Sequence, residues 1–109
     1  METKLSRDAH KLLVQLYKLY LERRKSGLSK CDSRDFGSYE NIMQMLDSSL
    51  SADDMNDTLL ELKRAEYLSA LFADDVCCES CLSDSAIIEM ENRFKDGLAS
   101  VVSFLLSLK

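Results

Sequence analysis

The chain has no proline, no tryptophan, three glycines and one histidine. With proline absent and glycine scarce, Ser, Asp and Asn must punctuate the backbone, which favours helices over a turn-rich all-β fold. No apolar run approaches the roughly 20 residues a bilayer crossing requires, so no membrane partner is expected. The start METKLSRDAHK lacks the apolar core of a signal peptide, so a cytoplasmic location is expected. In a reducing compartment the four cysteines are free thiols or ligands rather than disulfides. His10 has no nucleophile beside it in sequence, and no glycine-rich phosphate loop is present. The acid pairs Asp53-Asp54 and Asp74-Asp75 suit a helix start and a turn. A non-enzymatic protein without a cofactor is expected.

At 109 residues the chain is one domain with room for a single modest core. The apolar share of 46% beside 30% charged residues is the balance of a globular chain, not a disordered one. The net charge of −5 hides a polarity. Residues 1–34 carry nine Lys/Arg against four Asp/Glu, or +5, whereas residues 35–109 carry five against fifteen, or −10. Such a balance repels nucleic acid overall while leaving a local basic face.

Apolar residues Ala9, Leu12, Leu13, Leu16, Leu19 and Tyr20 repeat at helical spacing, predicting a helix from Ser6 to Lys25 that Gly27 ends. Arg23, Arg24 and Lys25 then complement the dipole at its end. Residues 28–37 are a connector with a short strand. Ser38 caps a second helix of about three turns carrying Tyr39, Ile42, Met43 and Leu46. After a tight turn, Ser51 caps a third helix with Met55, Leu59, Leu62 and Ala65 on one face. The runs 67–72 and 76–82 then form a hairpin around Ala73-Asp74-Asp75. Ser83 caps a fourth helical segment running to the C-terminus, with Asn92 or Gly97 as its break.

The stretch DVCCESCL has one C-x-x-C spacing, Cys78 to Cys81, and no second one. A structural zinc site needs four converging ligands, so Cys77, Cys78 and Cys81 would need Cys31, or else His10, to complete a set, and no metal is expected. In an extended strand Cys77 and Cys81 share one face and pack as small hydrophobes.

Helix, connector, helix, turn, helix, hairpin, helix is the order of a winged helix-turn-helix domain. The run SADDMNDTLLELKRAEYLSAL resembles the third helix and first wing strand of that family, and LSDSAIIEMEN resembles the exit from the wing. With its extra C-terminal helix the chain is similar to the small YjcQ-like proteins of low-GC Gram-positive bacteria and their prophages. The resemblance implies a mainly α fold with a small β-hairpin (α+β), a winged-helix domain over 1–92 and an additional helix over 93–109. It also implies a transcription-regulator-like protein that places its third helix in the major groove of double-stranded DNA. Asn56, Lys63 and Arg64 on that helix, with Lys30 and Arg34 alongside, are the candidate contacts.

The acids Asp53, Asp54, Asp57, Glu61 and Glu66 on the same helix, and Asp74 and Asp75 at the wing tip, oppose phosphate. The competing expectation is an acidic protein-interaction module, such as a phage-type inhibitor that imitates nucleic acid. The final stripe of Leu98, Val101, Val102, Leu105 and Leu108, widened by Phe104 and Leu106, exceeds what one small core absorbs and predicts a homodimer.

Overall fold

The computed structural model describes residues 4–108. Within them lie α1 (Arg7–Lys25), α2 (Lys30–Ser33), α3 (Tyr39–Met45), α4 (Ala52–Arg64), β1 (Leu68–Ala73), β2 (Val76–Leu82), α5 (Asp84–Arg93) and α6 (Leu98–Ser107). This is an α+β fold with one antiparallel hairpin and a separate C-terminal helix.

Serine does the work that proline and glycine do elsewhere. Ser6, Ser29, Ser38, Ser51 and Ser83 stand just ahead of α1 to α5, and each hydroxyl accepts from the backbone N–H three residues on. Each such cap stabilises its helix by about 1 kcal/mol. α3 is shorter than its pattern predicts, seven residues long with only Ile42 buried, because Leu46 is already extended. Asn92 lies inside α5; the break comes at Phe94 to Gly97. Gly97 takes φ 71° and ψ −135°, a conformation close to glycine's own, and α6 starts there without a side-chain cap.

The connector corrects two expectations. Residues 28–37 hold the single turn α2 rather than a strand, and their extended part is one bridge, Asp35 to Cys81, flanked by Phe36 N–H to Ser80 O and Leu82 N–H to Arg34 O. Arg23 does more than complement the dipole. Its guanidinium donates to the Asp35 carbonyl at 2.6 Å and lies 5.3 Å from the Phe36 ring centre, so α1 anchors the connector.

In the hairpin Leu68 pairs with Leu82, Ala70 with Ser80 and Phe72 with Cys77. The register slips between Leu71 and Phe72, leaving Cys78 as the extra residue of a bulge. The slip shifts the alternation by one. Cys77, Ser80 and Leu82 are buried, while Cys78 is exposed and Cys81 half-buried on the opposite side. The expectation that Cys77 and Cys81 share one face fails for that reason, and only Cys77 is a buried thiol.

α1 is the spine of the core. Leu12, Leu13, Leu16 and Tyr17 are fully buried among Met55, Leu59 and Leu62 of α4, Ile87 and Met90 of α5, and Val101 of α6. Tyr17 stacks on Tyr20 and on Phe94, which meets Phe104 edge-on at 5.6 Å. Burial pushes the Tyr17 hydroxyl up to about 12. The Arg93 guanidinium lies 4.7 Å from the centre of the Phe104 ring and contacts His10 Nε2, fastening α6 to the start of α1. Among the described residues no helix is long and apolar enough to cross a membrane.

Candidate functional site

α4 turns one stripe outward: Asp53, Asp57, Leu60 and Arg64, spaced four, three and four apart. Asp53 and Asp54 occupy its first turn, where the positive end of the helix dipole stabilises carboxylates. The hairpin folds against this stripe and brings its tip to the same side. Between them lies a groove of about 440 Å³ lined by Asn56, Asp57, Leu60, Phe72, Asp74 and Asp75. Leu60 and Phe72 supply half-buried apolar area, and exposed Asp57, Asp74 and Asp75 add carboxylates. Sequence reasoning did not select Leu60 or Phe72, since their meeting depends on how the hairpin docks.

The tip is a two-residue turn with Asp74 at φ 51° and Asp75 at φ 64°. Asn-Gly would meet the need for two positive φ values at lower cost. Replacing Asp74 by Asn together with Asp75 by Gly should therefore raise stability by about 1 kcal/mol while removing two charges from the face. Thermal unfolding monitored by circular dichroism reads this directly, and an unchanged or lower midpoint would show that the aspartates carry a stabilising contact.

Of the five residues expected to meet DNA, Asn56 and Arg34 are engaged within the fold. Asn56 is buried: its Oδ1 accepts from Cys77 N–H at 2.7 Å and its Nδ2 donates to the Ala52 carbonyl at 3.0 Å. It fastens α4 to β2 and cannot reach a base edge, which corrects its assignment. Arg34 is also engaged, its Nε donating to the Leu82 carbonyl at 2.8 Å and its Nη1 meeting Asp84 at 2.8 Å. Lys63 is exposed and curls back so that its ammonium lies 5.5 Å from the centre of the Phe72 ring. Arg64 at the end of α4 and Lys30 on α2 are exposed. Glu61, counted among the solvent-facing acids, instead accepts from the Ser6 N–H and hydroxyl, both at 2.7 Å, and ties α4 to the start of α1.

Among the described residues no group of three or more His, Cys, Asp or Glu side chains is placed to hold a metal ion. His10, at the edge of α1, has its pKa lowered by partial burial first and by the Arg93 charge second.

A second groove, of about 500 Å³, runs between α1, the end of α3 and α6. Leu19, Leu46, Val102, Leu105 and Leu106 line it. α6 carries no charged residue from Leu98 to Ser107, and Leu106 is 60% exposed beside Leu108 at 42%. Val101 is fully buried in the chain's own core, so it drops out of the expected dimer surface. Leu98, Val102 and Leu105 are half-buried.

No family model matches the sequence, and neither a curated protein nor a solved structure matches it.

Proposed function

We propose that the chain is a non-enzymatic, cytoplasmic interaction module on a winged-helix frame, whose α4 and hairpin face binds a basic protein surface in the way that surface would bind nucleic acid. One observation carries this: exposed Asp57, Asp74 and Asp75 line the groove between α4 and the hairpin, with Asp53 one turn earlier on the same stripe, where a winged-helix regulator would need cations. Carboxylates there repel phosphates and attract lysine and arginine, and Leu60 and Phe72 offer apolar contact to the stems of those side chains. The isolated bridge of Asp35 to Cys81, on the edge of β2, supports the frame, since it ties the connector after α1 to the hairpin. The charge-free face of α6 supports a homodimer, because an uncharged, partly exposed stripe is most readily covered by its own equivalent across a two-fold axis.

The DNA-binding regulator is the second reading, favoured by exposed Arg64, Lys63 and Lys30. Titrations of a fluorescent arginine-rich peptide and of a duplex DNA, each at two salt concentrations, separate the two. The peptide should bind with micromolar affinity that weakens with salt, and the triple variant Asp57→Asn, Asp74→Asn, Asp75→Asn should bind it at least tenfold more weakly. Salt-sensitive DNA binding by the wild type, abolished by Arg64→Glu, would reverse the assignment.

A further inference from the structure

On the far side of the hairpin from the core, a cavity of about 350 Å³ is lined by Cys31 and Cys81 together with Asp35, Ser69, Ala70, Leu71, Glu79 and Ser80. The two cysteines are 50 positions apart in sequence, and the connector brings them together. Asp35 opposes Cys81 in the isolated bridge, which places their Cα atoms about 5 Å apart. Cys31 lies one helical turn before Asp35, a further rise of about 6 Å. The two Cα atoms are therefore within about 11 Å, and a disulfide needs less than about 7 Å. The difference falls on the exposed start of α2, Lys30 to Asp32, which would move while buried Ser33 holds the end of the turn.

We propose that Cys31 and Cys81 are an oxidation site, forming an intramolecular disulfide when a peroxide reacts with the reduced chain. Exposed Cys31 is the peroxide's target. Its thiolate sulfur attacks one peroxide oxygen, the O–O bond breaks, and the departing oxygen takes a proton to leave as water, giving a sulfenic acid. Cys81 then attacks that sulfur; the S–S bond forms, the S–O bond breaks, and hydroxide leaves with the proton Cys81 gave up. Two thiols lose two electrons and hydrogen peroxide becomes two waters. Burial holds the Cys81 thiol above its ordinary range and the adjacent Arg34 guanidinium offsets only part of this, so the second step should quicken as pH rises. Cys77 is sealed in the core, and Cys78 sits on the bulge away from this cavity. The bond would staple α2 to β2, closing a loop through α3, α4 and the hairpin.

The test is mild hydrogen peroxide on the folded, fully reduced chain, followed by blocking of free thiols, trypsin digestion and mass spectrometry without reduction. Cleavage after Lys30 and Arg34 isolates Cys31 in residues 31–34, and cleavage after Arg64 and Arg93 puts Cys81 in residues 65–93. The expected product is a monomer lacking two hydrogens, in which these peptides are joined and fragment ions assign the bond to Cys81. The bond should persist in the double variant Cys77→Ser, Cys78→Ser and vanish in Cys81→Ser. Its closure should raise the midpoint of thermal unfolding by roughly 10 °C over the reduced chain. A bond from Cys31 to Cys77 or Cys78, a dimeric disulfide, or over-oxidation of Cys31 without any disulfide would overturn the proposal.

Discussion

Val101→Asp should leave the chain largely unfolded, whereas Leu106→Asp, five residues further along the same helix, should leave it folded and monomeric. Val101 is fully buried in the core that α1 helps to form, and a carboxylate there loses its hydration. The cost exceeds about 4 kcal/mol, a large part of the roughly 5–15 kcal/mol that holds a domain of this size together. Leu106 is 60% exposed on the groove between α1 and α6, where a charge stays hydrated and monomer stability changes by less than about 0.5 kcal/mol. Circular dichroism reads the first effect. Light scattering reads the second: a wild-type dimer at micromolar concentration should become a monomer. A wild type that is monomeric throughout would end the dimer proposal, and a folded Val101→Asp protein would mean that α6 does not dock on α1.

The second large effect falls on a residue that the sequence assigned to DNA. Asn56→Ala should lower stability by about 2–3 kcal/mol, because the buried Cys77 N–H loses its acceptor at 2.7 Å and α4 loses its polar tie to β2. The unfolding midpoint should fall by roughly 10 °C. Arg64→Ala, two turns on and exposed, should stay within about 0.5 kcal/mol of the wild type. Equal effects of the two substitutions would mean that the Asn56 amide is not the link between helix and hairpin.

Local chemistry made much of the fold legible. Apolar spacing in α1 and α4, serines before the helices, and an acid pair between two β-prone runs each act within a few residues, so they can be read without knowing what lies across the core. Where the expectations miss, a distant partner intervenes. Arg23 is a cation at a helix end in the sequence and an anchor for the connector in the fold, because the Asp35 carbonyl comes within reach only when α1 and the connector pack. Glu61 is one acid among several until Ser6 meets it. The one-residue bulge at Cys78 reverses the face of Cys81, and strand alternation alone gives no sign of it.

Composition and periodicity by themselves determined an α+β chain with a basic front, an acidic remainder and a broad apolar stripe near its C-terminus. Only the tertiary structure decided which charges act together. It buried Asn56, engaged Arg34 with Asp84, and set Asp57 beside Asp74 and Asp75 around Leu60 and Phe72. The physical reason is range: caps and helical stripes are set by neighbours within about a turn, whereas an interaction face is set by the docking of elements far apart in sequence.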